Sequence, residues 1–396
     1  MTGVRVVEVA NWTFVPAAGA ILADLGADVI KVEPPTGDPQ RGLQNLLNFG
    51  ADGPNPFVEI PNRGKRSIAL DLTNEAGREL LLRIVERSDV FLTSTLAPIR
   101  AKLRIDVDDI RAANPDIIYV RGTGWGSAGP MADAGGFDLA CGWAAGGLAY
   151  KLTGDGEPPF QPPAFYDLQG ANTIAGAIAC ALFKRERTGT PSVVDVSLLN
   201  VAMWSMAPDI VGAPYAGSIP VIERTSPGNP ISNSYQTKDG RWLFLVCLQS
   251  DRYWAELCTC LGCTELIDDP PFADATARYE HRTECVAALD RVFAAKTLDD
   301  VRRDLAEFSG VWSPVQTPIE LHEHPQVEAN GYLPEIQSNA GVPFRLVAPP
   351  AQFDGAPTAP QGAAPELCQH TEEVLLDIGL TWEDITAFRD TGVLGT

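Results

Sequence analysis

Five apolar runs alternate with helical periodicity in the first 123 residues. Val4–Ala10 (VRVVEVA) is a continuous apolar run between turn-formers, the pattern of a buried parallel strand. Asp28–Glu33 (DVIKVE), Ser67–Leu72 (SIALDL), Asp89–Ser94 (DVFLTS) and Asp116–Thr123 (DIIYVRGT) repeat it. Helical segments are predicted between them, at 16–25, from Asn74 through NEAGRELLLRIVERS, and near 106–114. Two more helices are predicted at 137–150 and 167–187, then a strand at 192–198. Strand–helix alternation of this kind predicts an α/β fold with a Rossmann-like, doubly wound parallel sheet.

The pattern changes after residue 220. ERTSPGNPISN is turn-rich, and NSYQTKDGRWLFLVC reads as a hairpin with Asp239–Gly240 at its turn. Helices follow at 251–262, 280–295 and 298–309, which predicts a second, smaller α+β domain. Residues 340–366 are rich in Pro, Ala and Gly and read as an extended connector. Two amphipathic helices close the chain at 370–380 and 382–390. The expected organisation is a large domain over 1–200, a linker at 201–224, and the small domain at 225–325. A return connector at 326–366 then leads to C-terminal helices of the large domain at 367–396.

Charge narrows the partners. The formal net charge is −21, which speaks against nucleic acid and against a basic membrane-binding face. An anionic small molecule held by a few local cations stays open. The N-terminus has no charged segment followed by an apolar one, and no apolar stretch is long enough to span a bilayer. A cytoplasmic protein with free thiols is expected. Cys258, Cys260 and Cys263 lie in one predicted helix with no answering Cys/His cluster, so they read as small helix residues and no metal site is expected.

The chemistry is narrowed by what the chain lacks. There is no G-x-G-x-x-G and no P-loop, so neither NAD nor a nucleoside triphosphate is supported. There is no G-x-S-x-G elbow, and the first of four histidines is His281, so the N-terminal half offers no histidine base. A carboxylate nucleophile needs no such base, because it is ionised at neutral pH. Asp167 ends the run EPPFQPPAFYD and opens an apolar helix; Asp138 (GGFDLA) begins another. Both positions equally suit an ordinary helix cap.

The order of several segments resembles the class III CoA-transferases, also called the carnitine dehydratase/bile-acid-inducible protein F family. The opening VRVVEVAN…ADLGADVIKVEPPTGDPQRG, NRGKRSIALDL (62–72) and GTGWGSAGP…GGFDLA (122–140) carry it. So do RERTGTPSVVDVSLLNVA (185–202) and AAPELCQHTEEVLLDIGL (363–380). The resemblance implies a CoA thioester as substrate, a carboxylic acid acceptor, and no permanently bound cofactor. It puts the family's nucleophile on Asp167, which would form an aspartyl anhydride, and gives Asp138 a supporting role. It puts Asn11, Trp12 and Thr13 beside CoA, and Lys65, Arg66 and Lys102 near its nucleotide, where their charge suits phosphates. It further implies an interlocked homodimer.

The chain departs from the family in places. Pro34 replaces a frequent Arg, and TSTLAP (93–98) replaces a frequent Glu-Asn-Phe-x-Pro-Gly segment, so nucleotide contacts are expected to be partly rebuilt. SPGNP (226–230) matches the family's glycine-rich loop by position only. The family also contains α-methylacyl-CoA racemases, which carry a His where this chain has Phe137. A two-base racemase needs an acid/base group on each side of the α-carbon, so Phe137 favours transfer. A chain that binds CoA without catalysis is the reading from another class.

Overall fold

The computed structural model describes residues 1–43, 53–217, 221 and 223–395. A six-stranded sheet is built from β1 (Arg5–Val9), β2 (Asp28–Glu33), β3 (Arg66–Ala69), β4 (Val90–Thr93), β5 (Ile118–Thr123) and β6 (Val193–Ser197). The spatial order is β3-β2-β1-β4-β5-β6 and every pairing is parallel. This is the expected doubly wound sheet.

Alternation along the strands divides the core. Val6, Val29, Val90, Leu92, Ile118 and Val120 face one layer, covered by the Phe14–Asp24 and Phe165–Thr188 helices. Val7, Ile30, Val32, Phe91 and Tyr119 face the other, covered by the Glu75–Val85, Val107–Ala113 and Thr371–Asp377 helices. Both faces are buried, so the strands read as continuous apolar runs. Local signals start the helices: the Asn74 side chain accepts from the Ala76 amide, and Asp106 and Asp109 form a capping box.

The chain forms two compact units, Met1–Ile219 with Pro325–Thr396, and Pro220–His324. In the smaller unit, β7 (Ser234–Gln236), β8 (Trp242–Leu245) and β9 (Trp312–Pro314) form an antiparallel sheet. Asp239–Gly240 makes the β7–β8 turn, and Gly240 has φ +77°. Cys258, Cys263 and Cys285 are buried in this unit's core beside Tyr235 and Phe293.

Two stretches differ from the sequence expectation. Residues expected to begin a linker at 201 form the Leu198–Ser205 and Ala207–Ala216 helices. Pro208 sits in the first turn of the second of these helices, where its missing N–H costs nothing. The Pro-rich return is also not featureless: Glu335–Gln337 pairs with Pro343–Arg345, and Gln352–Phe353 with Ala356–Pro357.

Candidate active site

In a doubly wound sheet the ligand crevice opens where the strand order reverses, beyond the carboxyl ends of the strands. Here that point lies between β1 and β4. A cavity of about 210 Å3 sits there, lined by Asn11 and Trp12 after β1, Ser94 after β4, Thr123 on β5, Phe137, and Asp167. A neighbouring cavity of about 340 Å3 shares Asn11, Trp12, Ser94 and Leu96 and runs along Pro34, Pro35 and Ile99. The departures from the family pattern, Pro34 and the TSTLAP segment, therefore line the groove itself.

The loop after β1 is held in an uncommon conformation. Trp12 has φ 68°, a left-handed geometry costly for a bulky residue. Its amide donates to Asp38 Oδ1 at 3.2 Å, and the Asn11 amide donates to Ser94 Oγ at 3.1 Å. The Trp12 ring meets Phe137 edge-on at 5.4 Å. Below Phe137 the backbone comes very close. A Cβ on Gly136 would lie 2.4 Å from Cys141 Sγ, and one on Gly124 would lie 2.9 Å from Gly136 Cα. Only glycine fits at both, which explains the GTGWG and GGF segments better than a flexible loop does.

Asp167 is the third residue of the Phe165–Thr188 helix. The chain enters through Pro162–Pro163–Ala164, and Ala164 (φ 59°) gives no side-chain cap. From another segment Asp138 brings a buried carboxylate to this helix start, where the Tyr166 and Asp167 amides pull its proton affinity down. Burial raises the Asp138 carboxyl nonetheless, against the pull of Gln161 and these amides. Burial, followed by the nearby Asp138 charge, pushes Asp167 up to about 8. The premise that a carboxylate here is ionised at neutral pH is thus corrected: Asp167 holds its proton near pH 7 until something displaces it.

Three buried polar atoms lack a hydrogen-bond partner around this helix start: Asp138 Oδ2, Gln161 Oε1 and Tyr166 Oη. Such orphans are rare in folded proteins and mark places where stability is given up for something else. Cys141 lies against both aspartates, and burial first, then their charge, lifts its thiol to about 11, so it is inert as a nucleophile.

The remaining residues expected at the site are distributed unevenly. Asn11 and Trp12 line the groove. Thr13 is buried and its Oγ1 accepts from Gln40 Nε2 at 2.8 Å. Lys65 is enclosed: its Nζ donates to Glu8 Oε2 at 2.7 Å and to the Pro16 carbonyl at 2.8 Å, leaving no face for a phosphate. Arg66 begins β3, at the opposite edge of the sheet from the groove, and is held by Asp28, Glu373 and Asp377. These two placements correct the expectation of phosphate contacts. Lys102 is exposed on the Ala97–Leu103 helix, which also supplies Ile99 and Leu103 to the groove. SPGNP (226–230) lies in the smaller unit. Sequence reasoning missed Gln161, Ser94 and Asp38 as individual residues, although each stood in a segment singled out beforehand: EPPFQPPAFYD, TSTLAP and GDPQRG.

The model of "CoA-transferase family III" matches residues 1–371. The chain belongs to this family. CoA-transferase family III relatives match over nearly the whole chain. (R)-2-hydroxy-4-methylpentanoate CoA-transferase of Clostridioides difficile is 29% identical over 100% of this chain and 99% of its own length. Succinate–glutarate CoA-transferase of Agrobacterium fabrum is 31% identical over 96% and 95%. A crystal structure of a CAIB/BAIF family protein from Brucella suis superposes with a TM-score of 0.80 at 30% identity, covering 95% of this chain and 98% of that one. The chain is therefore a class III CoA-transferase, and CoA thioesters and acids are its substrate classes. Among the described residues, no helix is long and apolar enough to cross a membrane.

Proposed function

We propose that this CoA-transferase works through covalent catalysis by Asp167. The observation that carries the reading is one carboxyl group at the floor of the groove, raised to about 8, beside a second buried carboxylate and a cluster of unpartnered polar atoms. A carboxyl in this state is poised between protonated and ionised near working pH.

The cycle balances without water or a redox partner. Asp167 first releases its proton to solvent; the carboxylate then attacks the thioester carbonyl of the donor, an O–C bond forms, the C–S bond breaks, and CoA thiolate leaves. The thiolate attacks the Asp167 carboxyl carbon of the mixed anhydride, forming an aspartyl thioester and releasing the donor acid. The acceptor carboxylate attacks that thioester, giving a new anhydride and thiolate. The thiolate then attacks the acceptor's acyl carbon, completing the new acyl-CoA and restoring Asp167. Anhydride and thioester are both activated acyl groups, so the bond energy is carried through. The amides of Gly135, Gly136 and Phe137 donate to no backbone acceptor among the described residues, and we assign them to the developing oxyanion. Asp138 orients the helix start and sets the Asp167 proton affinity.

The sole side chain at position 137 is a phenyl ring packed on Trp12, which supplies no second base for racemisation. CoA is assigned to the groove past Asn11 and Trp12, with Lys102 as the cation for its phosphates. The relatives' printed names, which span hydroxyacyl, cinnamoyl and dicarboxylic substrates, support a carboxylic acid acceptor. An interlocked homodimer in the cytoplasm completes the reading. Its support is the return of Pro325–Thr396 to the first unit after the chain has built the second. Sedimentation at micromolar concentration should give a dimer; a monomer there would contradict that part.

Asp167→Ala tests the chemistry. Transfer should fall by at least ~10³-fold, the scale of losing a covalent nucleophile. Hydroxylamine should trap Asp167 in the wild-type protein incubated with acyl-CoA, read by intact mass. Unmodified Asp167 under turnover would sink the proposal.

A further inference from the structure

A second cavity lies beside the groove and is lined very differently. It holds about 210 Å3 and is walled by Pro56, Phe57, Ile60, Pro163 and Leu168, with Thr13 the one polar side chain on its lining. Two elements make it: the Pro56–Asn62 helix and the entry to the Phe165–Thr188 helix. Asp167 lies in that same helical turn, between Ala164 and Leu168. Thr13 directly follows Trp12, which lines the groove with Asp167. One helical turn and one loop residue therefore separate the reactive carboxyl from this cavity.

Among the described residues that wall this cavity, none carries a charge. Arg41 is bound bidentately to Glu33, Arg63 to Asp24 at 2.7 Å, and Lys65 to Glu8 at 2.7 Å. Thr13 already accepts from Gln40 and has only an uncharged O–H to give. A carboxylate carried into such a place unpaired loses its hydration without replacement, whereas each methylene buried there is favoured.

We propose that this cavity receives the acyl group of the thioester, and that it selects an apolar chain, branched or aromatic, over one ending in a second carboxylate. The proposal rests on Asp167 as the acyl carrier, since an acyl carbon bonded there has its substituent beside this turn. Thr13 is then a specificity residue at the neck of the cavity, and the Pro162–Pro163–Ala164 entry shapes the acyl site while it starts the helix.

The test uses the full chain with one fixed acceptor and isovaleryl-, 3-phenylpropanoyl- and succinyl-CoA as donors. kcat/KM for the two apolar donors should exceed that for succinyl-CoA by at least ~100-fold. Leu168→Arg, which adds a countercharge, should narrow that gap at least ~10-fold. Phe57→Ala should lower kcat/KM for 3-phenylpropanoyl-CoA ~10-fold more than for acetyl-CoA, a differential that a folding defect does not produce. Equal use of succinyl-CoA, or equal losses for every donor in Phe57→Ala, overturns the proposal. Intact mass separates it from the reading beneath it. Succinyl labelling of Asp167 as fast as apolar labelling defeats the acyl cavity and leaves the nucleophile standing. An apolar preference in turnover without any Asp167 adduct defeats the nucleophile and, with it, the placement of the acyl group in this cavity.

Discussion

Two groups of acidic side chains share the larger unit and receive opposite treatment. Beneath the Trp12 loop, Glu8, Glu33 and Asp38 are buried with Lys31, Lys65 and Arg41 among them. At the start of the Phe165–Thr188 helix, the charge of Asp138 bears on Asp167, and neither forms an ion pair with a cation among the described residues. Burial works against charge in both places. In the first cluster, Glu8, Asp38 and Glu33 outweigh it at Lys31, whose ammonium is held above the ordinary lysine range. Lys65, equally buried, is pushed down to about 8. In the second cluster nothing offsets burial at Asp167 itself, which rises to about 8. Paired burial fixes geometry: Asp38 takes Lys31 on one oxygen and the strained Trp12 amide on the other. Unpaired burial stores reactivity. The first cluster thus shapes the groove that the second one uses.

The comparison breaks hardest at Lys65. Lys65→Met leaves Glu8 buried beside Lys31 alone and should cost about 3–5 kcal/mol of stability, read by urea unfolding. A loss below ~1 kcal/mol would mean that the cluster is not the pillar described here. A phosphate-binding lysine would behave otherwise, with stability kept and KM for CoA raised.

Asp167→Asn acts in the opposite sense. Its folded carboxyl keeps a proton up to about 8, while the unfolded chain releases it in the ordinary carboxylate range. Over that window the folded state binds more protons, so wild-type stability falls as pH rises. Asn removes this slope. The variant should match wild type near pH 3 and exceed it by ~2 kcal/mol near pH 9, a value discounted for the groove's access to water. An equal effect at both pH values would show that Asp167 is not held neutral.

Asp138→Asn sharpens the same contrast by removing one cause and leaving the larger. Burial remains and the neighbouring charge goes, so the acid limb of kcat/KM should move down by ~1 pH unit and stay above the ordinary carboxylate range. Asn keeps an oxygen for the Tyr166 and Asp167 amides, so the helix start survives. An unmoved limb would assign the shift to burial alone.

The sequence carries these two clusters unequally. The strands follow from apolar runs such as VRVVEVA and DVIKVE, because a strand buried on both faces has little choice of residues; their order and the crossing point come from the folded sheet. Asp167 stands out at the mouth of an apolar helix. Yet its protonation depends on Asp138, 29 positions away and brought near only by folding. Lys65 and Arg66 look like a basic pair before a strand. Nothing local says that one turns inward to Glu8 and the other outward to Asp28. That follows from strand register, which sets neighbouring residues on opposite faces. Gln161, in a run of prolines, has no periodicity to expose it.

The smallest expected effect separates Lys102 from Arg66. Both are basic, and both resemble nucleotide contacts, but they sit at different edges of the sheet. Arg66 already holds Asp28, Glu373 and Asp377, tying β3 to the closing helices. Lys102 is exposed on a helix that walls the groove. Lys102→Ala should raise KM for the acyl-CoA donor ~3-fold at low salt, with kcat unchanged and the effect fading as salt screens an exposed charge. Arg66→Ala should leave KM within ~1.5-fold and act on stability instead, by ~1 kcal/mol because its partners are partly exposed. If Arg66→Ala raised KM and Lys102→Ala did not, the phosphates would lie at the amino edge of the sheet, and the switch-point assignment of the groove would have to be abandoned.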